Sequence, residues 1–245
     1  MKKHVLFLGA LIFVYASLFA QTDYNQYEVI YLTPKLDKID LFKKGLAAHN
    51  KKYHAKAPYK VSVSSIITGP NSGGYVWVMG PTTWTELDGA PGDGEHMLDW
   101  EKNVNPYCET IGEEMFWRGV KDVYYAPEGA SGLNKSRMRA VSVYPGQMER
   151  FTEQMKKVAA VYKQKKYTAQ FSMAIRQGAS QGTNAVTFSN FSKWAWFDEN
   201  TNFIKDFDEV HGVDAYRKFS EEISLCLDRS KTYDELSIDV PELGG

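Results

Sequence analysis

Histidine is the first residue type in this chain to ask for chemistry. His49 and His54 are five apart in a stretch with helical apolar periodicity, which sets them about 140° apart around a helix, the wrong spacing for a shared metal. His96 and His211 stand before or beside predicted helix caps at places that do not correspond, so both read as surface or interfacial histidines, and no metal ligand is expected. The loop from Asp88 to Glu95 gathers carboxylates among glycines and could wrap calcium, but it lacks the twelve-residue calcium-loop spacing and reads as a solvated turn. Cys108 and Cys226 could form one disulfide in an exported protein, but they fall at non-equivalent places of the repeat set out below, so two buried thiols are expected, non-catalytic because no histidine stands near either in sequence. The sequence contains no nucleophile elbow, phosphate loop, zinc signature or nucleotide fingerprint.

The elements that must position a site come from a repeat. Glu28–Pro34 corresponds to Arg139–Pro145, two β-rich runs stopped by proline. A helical stripe follows each: Ile39, Phe42, Leu46 and Tyr53 in one copy, Met148, Phe151, Met155 and Tyr162 in the other. Second β-runs cover Val61–Ile67 and Thr168–Ile175, and each enters a turn rich in Gly, Asn and Ser. An ungapped stretch then sets Tyr75–Asp88 over Ala185–Asp198, with Val76, Trp84 and Asp88 matched identically. Asn105-Pro106-Tyr107 over Asp214-Ala215-Tyr216 reads as the cap of a final helix, carrying Tyr107, Ile111 and Met115 or Tyr216, Phe219 and Ile223. Last strands are expected at Val120–Tyr125 and Thr232–Ile238.

Each half therefore reads βαββαβ, an antiparallel sheet with helices on one face. The expected organisation is a signal peptide over 1–20, a first repeat over 21–127, a linker over 128–137 and a second repeat over 138–245. The signal reading rests on Lys2, Lys3 and His4 before an apolar run ending at Ala20, with cleavage near that residue and export to the periplasm or beyond. No other stretch has the unbroken apolar length of a bilayer crossing. Without the signal segment the formal charge is −3, which argues against nucleic acid as a partner.

On the third strand of the first half both faces are apolar. Val76 and Val78 are assigned to the helices, leaving Tyr75, Trp77 and Met79 on the open face. The same register in the second half puts Val186 and Phe188 under helices and Thr187, Ser189 and Phe191 on the open face. Facing the two open surfaces would close a sandwich or barrel able to hold a guest, with Tyr75, Trp77, Met79, Thr187 and Ser189 as candidate ligand contacts. Trp84 and Trp194 are expected as core wedges closing each sheet against its final helix.

Two βαββαβ units with facing sheets resemble the dimeric α+β barrel superfamily, and the chain is similar in this plan to antibiotic-biosynthesis monooxygenase-like, NIPSNAP-like and chlorite dismutase-like proteins. The resemblance covers nearly all of the chain after the signal segment and rests on architecture, not on a diagnostic motif. Thr85 stands where the Gly-x-x-Asp-Gly signature of dye-decolourising peroxidases needs its first glycine. The resemblance implies an α+β fold in which tandem ferredoxin-like repeats pair within one chain. It also implies that a haem-holding member would use an axial histidine. The expected function is binding of a small, partly aromatic molecule by an exported monomer with no cofactor. A monooxygenase-like or haem-dependent enzyme and an interaction module are the alternatives.

Overall fold

The computed structural model describes residues 24–178, 182–199 and 202–245; the segment read as a signal peptide lies outside them. The first half runs β1 (Gln26–Pro34), α1 (Ile39–Tyr53), β2 (Val61–Ile66), β3 (Tyr75–Thr82), the short α2 (Trp84–Leu87), α3 (Gly94–Asn103), β4 (Cys108–Ile111) and β5 (Met115–Tyr125). The second runs β6 (Lys135–Val143), α4 (Met148–Gln164), β7 (Gln170–Gln177), β8 (Ala185–Phe191), α5 (Trp196–Glu199), α6 (Phe203–His211), α7 (Ala215–Cys226) and β9 (Leu227–Asp239).

Within each half the first strand lies between the third and the last, giving the orders β2-β3-β1-β5 and β7-β8-β6-β9. The halves then join at both edges. β2 pairs with β9, with Ser64 opposite Asp239, and β5 pairs with β7, with Phe116 opposite Gln177. Eight antiparallel strands thus close into a barrel, and β4 is added where β1 has run past β5. The α+β fold with paired ferredoxin-like units is as expected, closed by edge-to-edge hydrogen bonding around a curved sheet.

The helical stripes fold as their periodicity dictates. Phe42 and Leu46 of α1 are fully buried with Leu32, Val61, Val63 and Trp77, while Phe151, Met155 and Tyr162 of α4 pack with Val141, Phe171 and Phe207. Asp40 in the first turn of α1 and Lys51 and Lys52 in its last turn complement the helix dipole. A third apolar cluster, including Trp117, Met138, Ala140, Ala174 and Val186, lies inside the barrel.

Three expectations are corrected. The final helix of the first half is not formed from Tyr107 to Met115. Asn105–Tyr107 makes one 3-10 turn and the chain then enters β4 and β5, where Thr110 pairs with Thr33 and Met115 with Val29. The sheet edge of β1 takes this segment, and α3 corresponds to α6 at the repeat offset, so α7 has no helical counterpart. Trp84 and Trp194 are not core wedges, being 39% and 43% exposed at the barrel rim; Trp196, 5% exposed and stacked on Phe191 at 4.8 Å, fills that place in the second half. Finally, β6 begins at Lys135, inside the expected linker, because Lys135 and Ser136 pair with both β8 and β9. Cys108 and Cys226 are buried and free.

Candidate functional site

Strand alternation sends every second side chain into the barrel. From β1 these are Tyr27, Val29 and Tyr31; from β3, Val76 and Val78; from β5, Met115 and Trp117; from β8, Val186 and Phe188. They enclose a cavity of about 730 Å³. A polar band crosses one part of its wall, where Ser237 of β9 lies opposite Ser136 of β6, Ser136 opposite Asn190 of β8, and Asn190 opposite Gln170 of β7. The Ser136 hydroxyl is buried without a hydrogen-bond partner.

Opposite Met138 the wall carries Glu235, a carboxyl only 3% exposed. Asn71 donates to its Oε1 from the side-chain amide at 2.6 Å and from the backbone at 3.3 Å, and the Tyr31 hydroxyl donates to its Oε2 at 3.4 Å. Burial pushes the Glu235 pKa up, against the three hydrogen bonds it accepts. Asn71 reaches this position because the turn after β2 folds back over β9, with Gly69 at φ +92°, Ile67 N–H donating to Leu236 C=O at 2.7 Å and Leu236 N–H to Thr68 Oγ1 at 3.0 Å. The sequence flagged the turn as a connection. Nothing in it tied Asn71 to a glutamate more than 160 residues away.

The five side chains expected to contact a ligand point the other way. Tyr75, Trp77 and Met79 pack with Phe42 and Leu46 under α1, and the Trp77 indole donates to Asn50 Oδ1 at 2.9 Å. Ser189 bonds the Tyr162 hydroxyl of α4 at 3.1 Å, and Thr187 shares that face, between the cavity-facing Val186 and Phe188. The physical reason is the two-residue period of a strand: with apolar groups on both sides of β3, a one-residue choice of face exchanges the whole set. Val76, Val78, Val186 and Phe188, assigned to the helices, line the cavity.

A separate cluster lies on the outer face of the first half. His49, on α1, is fully buried and His54, just past the end of α1, is 2% exposed, with His96 of α3 beside them. One ring nitrogen from each lies within 4.8 Å of the other two. The angular argument against a shared site fails because α1 ends at Tyr53: His54 occupies the cap with φ −126°, so it is not carried around the helix. His96 arrives from the neighbouring helix, whose first turn is capped by Asp93 accepting from the His96 backbone N–H at 2.9 Å.

A displaced carboxyl also sits on the outer face of β1. Burial, with the nearby Glu114 charge adding to it, pushes the Glu28 pKa from 4.5 up to about 7. The folded chain therefore holds this proton between about pH 4.5 and 7 while the unfolded chain releases it, so stability falls as pH rises across that window. Glu28→Gln is expected to remove the fall and to stabilise the protein by roughly 2 kcal/mol at pH 8, with little effect at pH 4. Urea midpoints of both chains at the two pH values check this; an equal gain at both would refute it.

No family profile and no curated protein matches the chain. Solved structures do. A proposed monooxygenase from Lactobacillus acidophilus superposes with a TM-score of 0.59 at 11% identity, over 89% of this chain and 94% of that one. An anthrone oxidase-like protein gives 0.55 at 12% identity, over 90% and 93%. A chlorite dismutase from Candidatus Nitrospira defluvii gives 0.55 at 11% identity, over 91% and 94%. The fold is thus the dimeric α+β barrel, with both units in one chain. At these identities the likeness defines architecture alone.

Proposed function

We propose that the barrel takes up a small, partly aromatic molecule, with Glu235 as its polar anchor. The cavity carries this reading. Its volume of about 730 Å³ lies within the range of roughly 300–1,000 Å³ typical of small-molecule sites. Tyr27, Tyr31, Trp117, Phe188 and Tyr233 supply ring faces and edges, while Glu235 and the unpartnered Ser136 hydroxyl offer a few convergent polar groups. A flat ligand with a carbonyl or phenol oxygen matches this lining: its rings replace water against aromatic walls, and its oxygen meets the polar groups around Glu235 and Ser136.

Anthrone, a three-ring ketone, is a suitable probe. Its titration into the protein, followed by tryptophan fluorescence, is expected to saturate, and Val186→Trp, which fills the cavity from β8, to weaken binding at least tenfold with circular dichroism unchanged. A wild-type chain that does not bind anthrone or any co-purifying small molecule, or a Val186→Trp variant that binds as well as wild type, would sink the proposal. An oxidising activity is the second reading, favoured by the likeness to an anthrone oxidase-like protein. Oxygen consumption on adding anthrone would support it.

Haem is a less good fit to the barrel, because no histidine among the described residues lines the cavity to serve as an axial ligand. A Soret band in the purified protein would replace the present reading with a haem-dependent one. The proposal also includes export with removal of residues 1–20 and a monomeric state, since the edge strands of each half are already paired with the other half. Mass spectrometry of the mature protein and light scattering test these two points.

A further inference from the structure

Three imidazoles converge on the outer face of the first half, away from the cavity. The ring centroids of His49, His54 and His96 are 4.8, 5.2 and 5.4 Å apart, nearly an equilateral triangle. Trp100 stands edge-on to His49 at 5.0 Å, Trp77 to His54 at 5.2 Å, and Tyr53 to His96 at 4.9 Å, so aromatic rings wall the cluster.

Hydrogen bonds to acceptors fix the tautomers of His49 and His54. His49 Nδ1 lies 2.8 Å from the Asp99 carboxylate, which can only accept, so the proton is on Nδ1 and Nε2 carries the lone pair. That Nε2 is buried with no partner. His54 Nδ1 lies 3.2 Å from the Tyr59 carbonyl, again an acceptor, so the proton is on Nδ1 and its Nε2 carries a lone pair that meets the His96 ring. His54 Nε2 and His96 Nε2 are 3.2 Å apart. Two nitrogens bound to one tetrahedral zinc, each at about 2.0–2.1 Å, are separated by roughly 3.3 Å.

We propose that His49, His54 and His96 bind one divalent transition-metal ion of the zinc class, His49 and His54 through their Nε2 atoms and His96 through one of its ring nitrogens. Asp99 and the Tyr59 carbonyl act on it indirectly, holding the His49 and His54 rings in the correct tautomer, and Asn103 fixes Asp99 in turn by donating to its Oδ1 at 2.9 Å. An imidazole-only set suits zinc, copper or nickel ahead of calcium or magnesium. Three ligands leave a tetrahedral ion one position short, where water or a small anion can bind. The ion would clamp α3 to the end of α1. It lies on the opposite face of β3 from the cavity, because Trp77 faces the cluster while Val76 and Val78 face the barrel.

Elemental analysis of the full chain, after zinc loading and exhaustive dialysis, is expected to find one zinc per molecule. Cobalt(II) loading is expected to give the intense visible bands of a tetrahedral site. His96→Gln, at the accessible ligand, should abolish retention with circular dichroism unchanged, and Asp99→Asn should weaken zinc binding about 10–100-fold while leaving all three ligands in place. His211→Gln, on the other half, should retain zinc as wild type does. Wild-type protein that keeps no zinc, or a His96→Gln variant that keeps as much as wild type, would overturn the site. Should His96→Gln fail to fold, an unchanged affinity in Asp99→Asn would overturn it instead.

Discussion

Gly45→Ala is expected to cost about 3 kcal/mol or more and to pull apart the two helices that carry the histidines. Gly45 lies on α1 where the end of α3 crosses it, and a Cβ there would stand 1.7 Å from the Asn103 backbone oxygen. A flexible side chain could swing away from such a contact, but a backbone carbonyl at a helix end moves only with its helix. Alanine's better helix propensity recovers about 1 kcal/mol, well short of the clash. Because Asn103 holds Asp99 and Asp99 holds His49, the shift should reach the imidazole cluster. Gly94→Ala, on the same α3 with nothing within 4 Å of its Cβ position, is the control and should be near neutral. Thermal melts of the two variants decide the matter: equal midpoints would mean that α3 tolerates displacement.

Asn50→Ala is expected to destabilise by roughly 2–5 kcal/mol. The Asn50 side chain is fully buried and uses both ends, donating to the Leu243 carbonyl at 2.6 Å and accepting from the Trp77 indole at 2.9 Å. Its loss strands an indole N–H and a carbonyl inside the protein. It also removes the side-chain bond that ties the segment after β9 to α1, leaving that segment held on β2 by Gly245 N–H donating to Val61 C=O at 3.0 Å. Asn50→Asp should be nearly as damaging, because a carboxylate cannot donate to Leu243 and its charge would be buried without a cation to balance it. A urea titration showing less than 1 kcal/mol of loss in Asn50→Ala would contradict this account.

Much of the architecture could be read from the order of residues. The stripes through Phe42 and Leu46 and through Phe151, Met155 and Tyr162 bury where a 3.6-residue period says they should, since the partner of such a stripe hardly matters to its position. The strand faces were another matter. β3 is apolar on both sides because helices cover one and the barrel interior the other, and a pattern without alternation carries no direction. The segment from Tyr107 to Met115 has helical spacing, yet the free edge of β1 recruits it as strand, a tertiary effect that no local window contains. The histidine cluster was hidden for a related reason: helix geometry was applied to His54, one residue past the end of α1, and the third ring comes from another helix. Glu235 gave no signal at all, being one acid in an unremarkable polar run.

The crossed edges of the barrel bear on how this molecule could have acquired its features. A lone half would present β2 and β5 as bare strands and would have to find a second copy of itself, which makes any feature of one half appear twice. Tethering two halves in a single polypeptide supplies the neighbour at an effective concentration on the order of millimolar and frees the two from identity. Three histidines can then gather on one half and a buried acid on the other, so that this ring of strands has a left and a right that a symmetric pair could never possess.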